Sequence, residues 1–126
     1  MRYLLDSSLL IDHSRGRPGA AELVESLFSE PNDLYTCDVF VTEALSGGTA
    51  EEREVIRALI RVLEYVATHP DAAAWAGDAR WERRTAGPRS LADAIIAGVA
   101  WSLEATVLTR NPRDFERLGV PVRSYG

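Results

Sequence analysis

Four acidic residues occupy places where a carboxylate suits chemistry better than solvation. Asp6 halts the apolar run Tyr3-Leu4-Leu5, and Glu43 lies inside Val39-Phe-Val-Thr-Glu-Ala-Leu45. Asp93 lies inside Leu91-Ala-Asp-Ala-Ile-Ile96, and Asp114 follows Thr106-Val-Leu108 by a few residues. An acid embedded in apolar sequence is costly to bury unless an Arg, a set of backbone donors or a metal ion pairs with it. Carboxylates that converge repel one another and raise one another's pKa values, so a cation is needed to offset them. Mg²⁺ and Mn²⁺ take oxygen ligands and keep several waters, which suits such a cluster. Metal held this way can activate water and stabilise charge developing on a phosphoryl group, in a one-metal or two-metal arrangement. Each acid alone also has a plain structural reading. Asp6 could cap a helix, Glu43 could be a partly exposed helix residue, Asp93 in a first turn is favoured by the helix dipole, and Asp114 could be a surface ion pair with Arg110, Arg113 or Arg117.

Alternating strands and helices must position these acids. Residues 3–5 read as a buried strand ending on Asp6, with Ser at the N-cap of a helix carrying Leu9, Leu10 and Ile11. Arg15 to Gly19 is a loop, residues 20–28 an amphipathic helix, and residues 31–33 a turn. A second strand over 34–37 leads through Asp38, as N-cap, into a helix over 39–45 that Ser46-Gly-Gly48 ends. Thr49 with Glu52 is a capping box opening a long helix, whose buried side is Val55, Ile56, Leu59, Ile60, Leu63 and Val66. Residues 65–68 suggest a short strand, and residues 71–84 a helix broken at Gly87-Pro88. Ser90 then caps a helix over 91–103 with Asp93 in its first turn. A strand over 106–108, a turn and short helix over 111–118, and a strand over 120–122 interrupted by Pro121 complete the order, the last suiting a sheet edge. The fold class is therefore α/β, a mainly parallel sheet covered on both faces. Ligands of such sheets bind at the carboxyl edge, where Asp6 stands.

Composition narrows the function. The 126 residues are long enough for one domain, residues 1–126, with a proper core. A net charge of -5 argues against nucleic-acid binding by overall charge and leaves only local charge for that role. All 14 basic residues are Arg, so lysine proton transfer and Schiff-base chemistry are excluded. A single cysteine, Cys37, can form no internal disulfide, which points to a reducing cytoplasm. Neither a membrane span nor a secretory leader is expected.

Other residues invite a bland reading. Asp12, a turn and a half after Asp6, reads as a solvated helix residue, and His13 and His69 read as surface residues without metal-ligand spacing. Cys37 reads as a small buried hydrophobe, and Trp75, Trp81 and Trp101 as core or dimer contacts rather than base-stacking platforms. Arg53, Arg57 and Arg61 form a solvated stripe. Arg80, Arg83, Arg84 and Arg89 cluster just before Asp93, either as a solvated basic helix end or as a phosphate clamp beside the acids.

Taken in order, Leu5-Asp-Ser-Ser-Leu-Leu-Ile-Asp12, Val41-Thr-Glu-Ala-Leu45, Leu91-Ala-Asp-Ala-Ile-Ile-Ala97 and Leu108-Thr-Arg-Asn-Pro-Arg-Asp-Phe115 resemble the successive motifs of the PIN-domain ribonucleases. The closing motif and the short length make the chain similar to a VapC-type toxin of a bacterial type II toxin–antitoxin pair. The resemblance implies a five-stranded parallel sheet with helices on both faces. It also implies Mg²⁺-dependent cleavage of RNA, tRNA or rRNA, with Mn²⁺ substituting, leaving a 5′-phosphate and a 3′-hydroxyl. By position, Asp6 and Asp93 would bind the metal directly. Glu43 would bind it or orient the attacking water, and Asp114 would hold a second ion or a water. Ser8 and Thr109 match supporting hydroxyls, and Asn111 stands where many relatives carry an acid, contributing an amide oxygen instead. The family further implies a VapB-like antitoxin with a basic segment, and a homodimer. Receiver-type and haloacid-type phosphatases also place Asp at strand ends, but both rely on a lysine and on a second acid where this chain has Ser8. A non-catalytic binding module on the same fold is the remaining alternative.

Overall fold

Period-two burial builds the centre of the protein, whose computed structural model describes residues 1–125. In β1 (Arg2–Leu5), Leu4 joins Cys37 and Val107 on one face, while Tyr3 and Leu5 join Leu34 and Leu108 on the other. Around it lie β2 (Asp33–Cys37), β3 (Glu64–Val66), β4 (Thr106–Thr109) and β5 (Val122–Ser124) in the order β3-β2-β1-β4-β5, every pair parallel. A parallel sheet must be covered on both faces. The face bearing Tyr3 and Leu5 is covered by α1 (Ser7–Ser14), α2 (Pro18–Ser29) and α4 (Ala50–Val62), through Leu9, Leu10, Val24, Leu27, Ile56 and Leu59. The Leu4 face is covered by α5 (Pro70–Arg83), α6 (Pro88–Leu103) and α7 (Arg113–Glu116), through Ala72, Ile96, Val99 and Phe115. The short α3 (Asp38–Leu45) sends Phe40 into one core and Ala44 into the other.

The chain leaves β1 in one direction towards β2 and β3, then returns to β4 and β5 on the other side. The reversal falls between β1 and β4, and the crevice beyond their carboxyl ends is where such sheets bind ligands. Asp6 follows β1 and Thr109 ends β4, so both open onto that crevice.

Close contact between α5 and α6 fixes the helix that carries Asp93. A Cβ built on Gly98 would stand 2.3 Å from the Ala72 carbonyl oxygen, so the two backbones touch there because Gly98 has no side chain. About one turn along each helix from that contact, Trp75 stacks on Trp101 with ring centroids 6.0 Å apart.

Several boundaries differ from the sequence expectations. Helix α6 begins at Pro88, not Leu91, because proline's fixed φ suits the first helical position and Gly87 absorbs the bend at φ 99°. Asp93 therefore lies in the second turn, away from the helix-dipole site, and Ser90 donates back to the Gly87 carbonyl instead of capping. Asp38 is the first residue of α3 rather than its N-cap, and its carboxylate accepts from the Thr68 amide and hydroxyl at 3.0 and 2.9 Å. The last strand starts after Pro121, which lacks a ladder N–H, although its carbonyl accepts from Val107. On α4, Ile56 and Leu59 are buried while Val55 is exposed.

Candidate active site

Three hydroxyls hold the buried carboxylate of Asp6. Its backbone N–H donates to the Leu108 carbonyl and its own carbonyl accepts from Leu9 and Leu10, which locks the residue between β1, β4 and the start of α1. Oδ1 accepts from Ser7 Oγ at 3.1 Å, and Oδ2 accepts from Ser8 Oγ at 2.8 Å and from Thr109 Oγ1. Hydroxyl donors satisfy a carboxylate without cancelling its charge. Thr109 is itself fixed by the Asn111 N–H, which donates to its Oγ1 at 3.0 Å, and the Arg110 N–H donates to Ser8 Oγ at 3.3 Å.

Glu43, Asp93 and Asp114 line the same open cavity of about 520 Å³ as Asp6. Burial, then the charge of Asp114, push the Asp93 carboxyl up to about 6, against the pull of Arg89. Glu43 stands at the exposed mouth. Partial burial and then the charge of Asp6 raise its carboxyl above the ordinary range, while the Ser7 hydroxyl works the other way. Asp114 is the exception: Arg89 and Arg117 approach its two oxygens at 3.2 and 3.4 Å. Among the described residues no three acid, His or Cys side chains stand close enough to grip an ion as they are. The donor set nonetheless fits a hard divalent cation: all oxygen, acid-rich, and with Asp6, Glu43 and Asp93 making no ion pair among the described residues. Mutual repulsion keeps such acids apart until a cation offsets it.

The basic cluster divides. Arg89 lines the acid cavity, whereas Arg83 and Arg117 line an adjoining cavity of about 550 Å³ that shares Asp93 and Asp114 as its wall. Arg80 turns inward, donating to the Gly87 carbonyl and Ser90 Oγ at 3.3 and 3.4 Å, so it holds the entry to α6. Arg84 is the left-handed residue that terminates α5. Asn111 lines the acid cavity at its exposed rim.

Sequence reasoning missed three participants. Ser7 reaches both Asp6 and Glu43, at 3.1 and 3.4 Å. Asp12 is buried, not solvated: Arg110 Nη1 donates to its two oxygens at 3.1 and 2.9 Å, Arg17 lies 3.4 Å away, and Tyr125 Oη lies 3.0 Å from Oδ2. Its spacing of three from the buried Leu9 was a usable sign of an inward face. Tyr125 had no sequence signal. His13 is likewise half-buried, with a pKa lowered by burial and Nδ1 unpaired among the described residues, while Cys37 is fully buried and its thiol pushed up to about 12 by burial.

The PIN domain family model matches residues 3–121. Ribonuclease VapC19 of Mycobacterium tuberculosis is 28% identical over 113 residues, covering 89% of this chain and 90% of that protein. The fold resembles that of VapBC2 from Rickettsia felis bound to a DNA fragment from their promoter, with a TM-score of 0.81 at 18% identity and full coverage of both chains. It also resembles DNA-bound VapBC from Salmonella typhimurium, with a TM-score of 0.76 at 25% identity and 98% of each chain covered.

Proposed function

Since the chain belongs to the PIN-domain family, we propose that it is a metal-dependent endoribonuclease acting as the toxin of a VapBC-type toxin–antitoxin pair. One observation carries the reading: four carboxylates line a single cavity at the point where the sheet order reverses, and three of them make no ion pair among the described residues. Similarity to a protein named as a ribonuclease supports the activity, and similarity to VapBC assemblies supports a VapB-like partner. Asp6, Glu43, Asp93 and Asp114 would hold Mg²⁺, or Mn²⁺ in its place. When bound, the ion supplies an acidified water and offsets phosphoryl charge. The protein's own part is to aim Asp6 through Ser7, Ser8 and Thr109, to place Glu43 at the mouth where it can orient water, and to hold an RNA phosphate with Arg89 once that side chain leaves Asp114. Asn111 offers a neutral amide oxygen at the rim. Arg83 and Arg117 would carry the strand onward along the adjoining cavity. Products are a 5′-phosphate and a 3′-hydroxyl, from tRNA or rRNA, with no covalent enzyme intermediate. A basic antitoxin segment answers the net charge of -5. The protein works in the cytoplasm, as a homodimer.

The test is cleavage of total RNA by the purified, partner-free chain with Mg²⁺, with Mn²⁺ and with EDTA, beside D6A and D93A. Discrete, metal-dependent cuts that vanish in both variants are expected. A folded protein that neither cleaves nor binds Mn²⁺ in calorimetry overturns the reading in favour of a non-catalytic binding module.

A further inference from the structure

The supports of Asp6 do not end at Ser8. Ser8 Oγ receives the Arg110 N–H at 3.3 Å, and Tyr125 Oη, from beyond β5, lies 3.3 Å away on the same oxygen. A backbone N–H can only donate, so Ser8 must offer it a lone pair. Its single proton is then free for Asp6 Oδ2 at 2.8 Å. The phenol is a donor here too, its one proton shared between Ser8 Oγ and Asp12 Oδ2, so Ser8 meets a second donor on that side and its own proton is left to Asp6. Asp12 holds the phenol in turn, its Oδ2 lying 3.0 Å from Tyr125 Oη and 2.9 Å from Arg110 Nη1. Arg110 thus grips α1 twice, through its amide on Ser8 and its guanidinium on Asp12, and Tyr125 closes the space between the two grips.

Resting on the metal-site reading above, we infer that Tyr125 is a positioning residue for that site. Its hydroxyl, tethered to Asp12, completes the hydrogen-bond shell of Ser8 and keeps the Ser8 proton aimed at Asp6. Tyr125 does not line the acid cavity, so it acts through Ser8 and touches neither metal nor RNA. The segment after β5 is thereby coupled to the active acid across 119 residues of sequence. Groups that orient a metal ligand from behind change affinity without changing the ligand set.

The experiment compares the full chain with Y125F, S8A and the double variant, by Mn²⁺ calorimetry, by cleavage kinetics and, without metal, by denaturant midpoint. Y125F keeps the ring and removes only the hydroxyl. Mn²⁺ affinity is expected to fall about ten-fold in Y125F, with kcat reduced and KM for RNA unchanged. The same substitution made on S8A should change neither affinity nor kcat further, because the pathway is already cut. Parent-like Mn²⁺ affinity in Y125F, or an equal loss in the S8A background, overturns the inference. The metal-free midpoint should drop more when Y125F is made on the parent than on S8A, and equal drops overturn the coupling. Should the parent itself neither bind Mn²⁺ nor cleave RNA, the nuclease reading fails, and the metal-free cycle still decides whether Tyr125 acts through Ser8.

Discussion

Asp93 holds its charge against its surroundings, and the cost shows as pH dependence. Its carboxyl is pushed up to about 6 in the folded chain by burial and then by Asp114, from an ordinary value of 3.8. Between those limits the folded state keeps a proton that the unfolded state has lost. The metal-free protein therefore gains stability as pH falls from about 6 to about 4, and carries the full penalty at pH 7. Because Asp93 is only partly buried, that penalty is discounted to about 1 kcal/mol. D93N should thus be more stable than the parent at pH 7 and nearly equal to it at pH 4, in denaturant unfolding without metal, while losing RNA cleavage. Asp12 is the opposite kind of acid. D12A leaves the Arg110 guanidinium and the Tyr125 hydroxyl without their acceptor. Arg110 is about half exposed and can turn to water, so the expected loss is about 2 kcal/mol of unfolding free energy, read from denaturant titration. The contrast explains what a sequence can reveal. Asp6 announces itself by stopping an apolar strand, a local fact. Asp12 takes Arg110 and Tyr125 as partners from 98 and 113 residues away, so its spacing from Leu9 can mark an inward face but not what meets it there.

At the level of elements, the local rules that need only neighbouring residues were readable. Thr49 accepts the Glu52 N–H at 3.1 Å, as the capping box required, and T49A should lower stability by about 1 kcal/mol with no change in cleavage. Boundaries set by competing signals were not readable in the same way. Ser90 and Pro88 both mark a helix start, and proline at the first helical position took precedence, which moved Asp93 from the first turn to the second. Glu64–Val66 and Val122–Ser124 are short edge strands that take their register from β2 and β4 more than from their own sequence. Nothing adjacent to Gly98 in the sequence signals its contact with α5, because Ala72 lies 26 residues away. Helix propensity alone predicts that G98A stabilises by nearly 1 kcal/mol, yet the added methyl would meet the Ala72 carbonyl at 2.3 Å. Backbone cannot move aside like a flexible side chain, so the overpacking term of about 1–3 kcal/mol decides the sign. G98A should unfold earlier than the parent and, by pushing α6 away from α5, should weaken cleavage as well.

For the whole molecule, alternation of strands and helices was enough to give a parallel α/β sheet, because its hydrophobic periods are fixed by backbone geometry. Convergence of the acids was not contained in those periods. It arises from the order β3-β2-β1-β4-β5, which brings the end of β1 beside the end of β4 and lets α3 and α6 overhang them. Only the succession of four motifs hinted at that order beforehand. Gathering like charges at one crevice is a global liability that a ligand can remove. A cation bound only by the folded state stabilises it by about 2.7 kcal/mol at a hundred times its Kd. For a chain of 126 residues that corresponds to a rise in Tm of about 10 °C. Thermal melts across a Mn²⁺ series should therefore climb with concentration, at a pH of about 7, above the value of about 6 to which the Asp93 carboxyl is pushed, and the climb should vanish in D6A and shrink in D93A. T49A provides the control: its melting point starts lower, but it should rise by the same increment as the parent, since the cap lies outside the acid cavity. A rise of equal size in D6A would mean that Mn²⁺ binds elsewhere on this acidic protein, and the four carboxylates would lose their claim to the metal.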